Sequence, residues 1–246
     1  MNLQNPKKFK LLIDQAHQVA INVLRPISRK YDKAEHSYPK ELDMLASLVD
    51  GMNEGGEGMN AGAAIGKRGT NEQGNKNGVN LSTALSVIEM CYGDTALLLS
   101  MPRQGLGNSA IAAVANEEQL ERFKNTWAAM AITEPNCGSD SAAIRTTATK
   151  VGDDYILNGE KIFVTSGERA DAIVVWATLD KKLGRSAIKS FVIPKGTAGM
   201  TVERLEHKLG IKASDTAVIR LIDCGVPANN LLGNAEIDIA KGFAGV

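Results

Sequence analysis

The hydrophobic pattern changes near Trp127, and no single layer of helix or sheet accommodates both halves. Before that point apolar residues recur at helical spacing; after it, short runs rich in β-branched residues alternate with turn signals. The first helical run, residues 9–27, places Leu12, Ala16, Val19, Ala20, Val23 and Leu24 on one face. Pro26 removes a backbone donor and is expected to kink or end it. Pro39 suits the first position of a second helix carrying Leu42, Leu45, Leu48 and Val49. A strongly apolar helix is expected over 81–101, stopped by Pro102, and a short small-residue helix over 106–115. Asn116 with Gln119 three positions on reads as a capping box that opens a helix through Phe123. Between the second and third helices, residues 51–80 hold nine glycines and almost no bulky apolar side chain. That composition is expected to form a flexible loop.

After Trp127, strands are expected at 128–133, 146–151, 155–157, 161–165, 172–177, 190–193 and 217–221. Turn residues separate them, among them Gly152-Asp153-Asp154 and Pro194-Lys195-Gly196. Asn158-Gly159 reads as a type I′ hairpin because both central positions need positive φ. Residues 235–246 begin something helical. The expected fold is α+β and multidomain: an all-α helical N-terminal domain over 1–126, then a small antiparallel β-sandwich or barrel over 127–234.

Charge excludes several function classes. Lys+Arg and Asp+Glu both number 28, so no bulk field draws nucleic acid or a membrane surface. No apolar run approaches a membrane span. Cys91, Cys137 and Cys224 lie far apart without metal-ligand spacing, and His17, His36 and His207 show no partner spacing, so no metal site is expected. The first ten residues lack the apolar stretch of a signal peptide, and Asp14 argues against a mitochondrial presequence, which leaves the cytoplasm.

Chemistry concentrates in the run Met130-Ala131-Ile132-Thr133-Glu134-Pro135-Asn136-Cys137-Gly138-Ser139-Asp140. Pro135 must end any regular strand. Gly138, Ser139 and Asp140 form a small-residue turn whose N–H groups can converge on an anion. Further along come Leu157-Asn158-Gly159-Glu160-Lys161-Ile162-Phe163-Val164-Thr165-Ser166-Gly167, then Lys208-Leu209-Gly210-Ile211-Lys212-Ala213-Ser214-Asp215-Thr216. Asp223, Val226-Pro227 and Asn230-Leu231-Leu232-Gly233 complete the series. In order and spacing it resembles the acyl-CoA dehydrogenase family, across that family's N-terminal helical and middle β domains. Cys137 departs from the pattern, where relatives usually carry a glycine or another very small residue.

The resemblance implies an FAD enzyme that oxidises an acyl-CoA thioester to the trans-2-enoyl-CoA, with hydride passing to flavin N5. It implies that Met130, Ile132 and Thr133 bracket the flavin ring together with Phe163, Val164 and Thr165. The Thr133 hydroxyl would bond the pyrimidine edge, the Thr165 hydroxyl would sit at N5, and Phe163 would pack on the ring. Gly138 and Ser139 would hold the pyrophosphate, with Ser139 also near the CoA substrate. Lys181, Lys182 and Arg185 would lie along the CoA, although a charge run is as well explained by solvation. Met101-Pro102-Arg103 and the 51–80 loop would shape the acyl pocket. Electron-transfer flavoprotein is the implied acceptor, and a homodimer or homotetramer the implied assembly.

Read by themselves these positions are less specific. Thr133 and Thr165 are β-branched residues in strands, Phe163 could be sheet core, and Ser139 could merely turn the chain. Glu134 reads as structural, at a strand end. The family's base is a glutamate in a C-terminal helical domain, expected beyond Val246. The resemblance therefore implies weak FAD affinity and negligible turnover for these 246 residues alone. An oxidase or flavin monooxygenase on the same scaffold, or a non-catalytic binding or assembly protein, are the alternatives.

Overall fold

The structure is a computed structural model in which residues 7–54, 79–102 and 106–237 are described. The chain divides into two compact units, residues 1–104 with 207–214 and residues 105–206 with 215–246. The expected boundary after residue 126 therefore differs from the division by contacts, which groups residues 106–126 with the sheet and 207–214 with the helices.

The helical unit begins with α1 (Lys10–Val19) and α2 (Arg25–Lys33), which run into each other through a π-helical turn, Ala20–Leu24. Pro26 neither ends nor breaks this helix. Its missing donor falls just after the wider π turn, where the regular ladder is already interrupted. Helix α3 (Glu41–Glu54) starts two residues after Pro39, whose carbonyl accepts from Leu42 N–H at 2.9 Å.

Helix α4 (Val79–Leu99) is interrupted at Asp94, which has extended φ −171° and ψ 121°. The Asp94 carboxylate accepts from Leu97 N–H at 2.9 Å and so caps the second half. Its other oxygen accepts the Ser28 hydroxyl. Gly93 allows α4 to cross closely, since a Cβ there would stand 2.7 Å from the Ala20 carbonyl oxygen. Ala16, Leu24, Tyr31, Leu42, Leu45, Met90, Leu97 and Ala213 form this unit's core. Residues 55–78, which hold most of the expected glycine-rich loop, lie outside the described residues, as do Arg103 and residues 238–246.

The second unit opens with α5 (Leu106–Val114) and α6 (Glu117–Phe123). The capping box is formed: the Asn116 side chain accepts from Gln119 N–H at 2.9 Å, and the Gln119 side chain accepts from Asn116 N–H at 3.2 Å. Seven strands follow: β1 (Ala128–Ala131), β2 (Thr147–Val151), β3 (Asp154–Thr165), β4 (Ala172–Thr178), β5 (Ile188–Pro194), β6 (Met200–Leu205) and β7 (Thr216–Pro227). They form one curled sheet in the order β1-β4-β2-β3-β7-β6, with β5 also paired to β4.

The sheet is mixed rather than wholly antiparallel. β1 pairs β4 in parallel, Ala128 opposite Ala172, and β2 meets β4 in parallel at Thr147 and Thr178. Strand β4 is buried throughout and has two working faces. Ile173, Val175 and Ala177 enter a core with Leu157, Phe191 and Ile219, while Val174 and Trp176 enter another with Ile111 and Phe123 of the helices. A strand buried on both faces reads as a continuous apolar run, as Ala-Ile-Val-Val-Trp-Ala does.

Asn158-Gly159 is not a hairpin turn. Residues 155–157 and 161–165 belong to one long strand, with a register shift between Leu157 and Gly159. Gly159 sits against Thr146, where a Cβ would lie 2.4 Å from the hydroxyl, so the glycine serves close approach rather than reversal. The reversal falls at Gly152-Asp153, with Gly152 at φ +59°.

Candidate functional site

Strand β1 ends at Ala131, and the next three residues run beside the middle of β3: the Thr133 carbonyl accepts from Ile162 N–H at 2.9 Å. The backbones of Glu134 and Cys137 then exchange hydrogen bonds of 2.9 and 3.2 Å, closing a turn over Pro135 and Asn136. Proline fits the second position of such a turn, where φ is already set and no donor is required. Gly138 is thereby returned to the side of Thr133, a Cβ on it lying 3.9 Å from the Thr133 methyl. Gly138 and Ser139 are exposed, and their N–H groups have no protein acceptor among the described residues.

The Glu134 carboxylate is buried and fully engaged. Oε1 accepts from Lys161 Nζ at 2.8 Å, Thr146 N–H at 3.0 Å and the Thr146 hydroxyl at 2.6 Å, and Oε2 accepts from Arg145 N–H at 2.6 Å. Those four donors meet the capacity of an ionised carboxylate, leaving it no reach toward a substrate proton. Lys161 is itself completely buried and donates a second bond, 3.0 Å, to the Ile132 carbonyl. Burial works against the charge on Glu134, but the Lys161 charge and these hydrogen bonds outweigh it and hold the carboxyl below its ordinary range. Burial pulls the Lys161 ammonium down, opposed by the same carboxylate. The direction for Glu134 governs, since a carboxylate holding four donors is stable only ionised. The structural role expected for Glu134 is what the geometry gives it.

A second buried pair fixes the end of β3. Asp215 Oδ2 accepts from Glu168 N–H at 2.9 Å, and Oδ1 lies 3.4 Å from the Arg169 guanidinium. Ser166, at φ +60°, donates its N–H to the Asp215 carbonyl at 3.1 Å. The segment after β1 that carries Thr133 and the end of β3 that carries Thr165 are thus each anchored by an ion pair inside the sheet unit.

Between the anchors lies a bulge. The register slips between Lys161 and Val164, so that both point into the protein and Phe163 is turned out. Phe163 is 61% exposed and sits at φ +58°, a region that bulky residues avoid at a cost of about 1–2 kcal/mol. Val164 is 1% exposed, so of the expected site residues it can offer a ligand only its backbone. Met130 and Ile132 are half-buried against the helix-covered core. Thr133 and Thr165 are half-buried too, with hydroxyls that have no protein partner among the described residues. The structure therefore joins Ile132, Thr133, Gly138 and the bulge residue Ile162 in one neighbourhood and carries Phe163 and Thr165 on the same strand. Lys181, Lys182 and Arg185 are exposed on a 3-10 turn, Lys181–Ala187, capped by the Asp180 side chain.

Lys161, Arg169 and Asp215 did not stand out in the sequence as supports of the site. For Lys161 a signal existed: Tyr155, Leu157, Gly159 and Lys161 alternate along β3, which puts the lysine on the inward face.

Comparison with known proteins shows what the chain is similar to. The family model "Acyl-CoA dehydrogenase, middle domain" matches residues 129–224. A cyclohex-1-ene-1-carbonyl-CoA dehydrogenase of Syntrophus aciditrophicus is 33% identical over 96% of this chain and 54% of its own length. A short-chain specific acyl-CoA dehydrogenase of Clostridium acetobutylicum is 32% identical over 99% of this chain and 61% of its own. A glutaryl-CoA dehydrogenase of Mycobacterium smegmatis, solved in complex with FADH2, superimposes with TM-score 0.75 at 26% identity, covering 94% of this chain and 57% of that one. The chain spans little more than half the length of the curated relatives it matches. A family model over residues 129–224, relatives similar along nearly the whole of these 246 residues, and helices followed by a curled mixed sheet point the same way: the chain belongs to the acyl-CoA dehydrogenase family.

Proposed function

We propose that the sheet unit binds FAD, and that in the whole protein it serves an acyl-CoA dehydrogenase converting an acyl-CoA thioester to the trans-2-enoyl-CoA. The observation that carries the reading is the bulge at Phe163. An exposed aromatic ring in a disfavoured backbone conformation makes physical sense where a flat ligand covers it. Three further features fit the same group. The Thr133 and Thr165 hydroxyls lack protein partners among the described residues and suit ring heteroatoms. The turn N–H groups of Gly138 and Ser139 suit a pyrophosphate, and Ser139 the CoA beside it. Met130, Ile132 and the Val164 backbone supply the remaining wall.

When bound, the flavin supplies a hydride acceptor, which no amino-acid side chain can. The chain's own contribution is position. Lys161 holds the Ile132 carbonyl and Glu134 holds residues 145 and 146, so the polar edge of the site is set before the ligand arrives. Removal of the substrate α-proton needs a base within hydrogen-bond reach, and Glu134 is not free to serve. The base is proposed to be a carboxylate from outside the middle domain. Electron-transfer flavoprotein is the proposed acceptor, a homodimer or homotetramer the proposed assembly, and the cytoplasm, where three free cysteines stay reduced, the proposed location.

Titration of the purified 246-residue protein with FAD tests the reading through quenching of flavin fluorescence. Saturable binding is expected, weakened about fivefold by Thr165→Ala, the equivalent of roughly 1 kcal/mol for one hydrogen bond. Indifference of the wild-type protein to FAD would refute it in favour of a non-catalytic scaffold.

A further inference from the structure

We propose that Glu35, His36 and His207, all in the helical unit, form a site for a divalent transition-metal ion of the zinc type. The three residues come from two segments, the residues following α2 and the start of the 207–214 stretch. One ligand atom from each lies within 4.8 Å of the other two. His207 Nδ1 is 3.0 Å from Glu35 Oε2, and His36 Nε2 is 4.0 Å from Glu35 Oε1. Tetrahedral zinc with bonds near ~2.1 Å holds its ligands about 3.4 Å apart, so the His207–Glu35 pair needs to open by about 0.4 Å and the others to close by at most about 1.4 Å.

Neighbours in sequence seldom converge on one point. Here they do because His36 takes left-handed backbone, φ +65°, and keeps its ring beside the Glu35 carboxylate. The two imidazoles meet edge to face, centroids 5.3 Å apart, rather than as a stacked pair. A supporting shell is present as well. Lys208 N–H donates to Glu35 Oε1 at 3.0 Å, and His36 N–H donates to the Lys212 carbonyl at 3.4 Å. Two imidazole nitrogens and one carboxylate oxygen with an open fourth position is a donor set that zinc, nickel and copper accept and magnesium or calcium does not. The Lys212 charge acts on Glu35 and competes with the ion, which limits affinity. Bound metal would tie the 207–214 stretch to the end of α2 more firmly than the Glu35–His207 hydrogen bond, whose histidine side chain is 85% exposed.

The test is isothermal titration of tag-free, chelator-treated protein with ZnCl2, with Co2+ as a spectroscopic probe. One ion per chain is expected, with a rise in unfolding temperature and a visible Co2+ absorption band. His207→Ala removes an exposed side chain and should fold normally while losing both. His36→Asn keeps a residue that tolerates left-handed backbone and should lose them too. No binding by the wild-type protein overturns the proposal, and so does zinc binding that survives in both variants.

Discussion

Replacing Lys161 with methionine preserves the length of a fully buried side chain and removes its charge. The substitution takes away the 2.8 Å bond to Glu134 and the 3.0 Å bond to the Ile132 carbonyl. Glu134 keeps only the neutral donors of Arg145, Thr146 and the Cys137 thiol. Breaking one side of a buried ion pair costs about 3–5 kcal/mol, chiefly for the charge left behind. Both tryptophans, Trp127 and Trp176, are buried in the sheet unit, so fluorescence in urea reads that unit directly. With a denaturant slope of about 2.5 kcal/mol/M, the midpoint should fall by about 1–2 M.

The pH dependence separates this mechanism from a packing defect. In the wild type the Glu134 carboxyl is depressed, so its contribution is present above the ordinary carboxyl value and is lost as pH falls. Without Lys161, burial is left to dominate and raises the carboxyl above its unfolded value. The contribution of Glu134 is then retained in acid and lost as pH rises through the raised value. The deficit of Lys161→Met should therefore grow with pH by up to about 1.4 kcal/mol per unit, then level off. The double variant Glu134→Gln/Lys161→Met should recover about 2 kcal/mol relative to additivity. A midpoint shift below about 0.3 M, or a deficit that is flat from about pH 5 to 8, would refute the account.

Other substitutions read different links. Phe163→Gly relieves the φ +58° conformation, so the ligand-free protein should be as stable as wild type or up to about 1 kcal/mol more so, while FAD binding weakens several-fold. Urea unfolding and FAD titration on the same preparation check both signs. Gly93→Ala places a Cβ 2.7 Å from backbone at Ala20 and should destabilise the helical unit by about 1–3 kcal/mol, seen by far-ultraviolet circular dichroism. The Glu41 carboxyl is lowered to about 2 by hydrogen bonds from Lys30 and Tyr31. Its stabilisation should be present above the ordinary carboxyl value of 4.5 and lost as pH falls toward 2, a window that Glu41→Gln should flatten. Because Lys30 is largely exposed and Glu41 only partly buried, the effect should stay below about 1 kcal/mol.

What could be read in the sequence was what local chemistry decides. The Asn116–Gln119 capping box and the buried run of β4 are set by residues a few positions apart, and both formed as expected. Elements fixed by distant contacts were not legible. Pro26 passes through a helix because a π turn precedes it, and Asn158-Gly159 lies in a strand because Thr146 crowds Gly159. Strand β6 has an almost wholly solvent-facing pattern, so no alternation announced it. Helices α5 and α6 look like their predecessors in sequence. Gly107 nonetheless lies against the carbonyls of Ala128 and Ala129, where a Cβ would come within 2.6 Å of both, so α5 counts with the sheet.

The same distinction governs the site. Taken alone, Glu134 and the turn after it present a carboxylate ahead of an anion-friendly loop. Its role is decided by Lys161, 27 residues away, and by the Arg145 and Thr146 donors. Phe163 is decided in turn by the bulge that follows Lys161, since pointing both Lys161 and Val164 inward leaves the intervening chain to bow out. One buried lysine therefore sets both edges of the proposed site, engaging the acidic residue and presenting the aromatic one. A motif names the residue types that a site needs, but which of them reach the ligand depends on the register of the neighbouring strand.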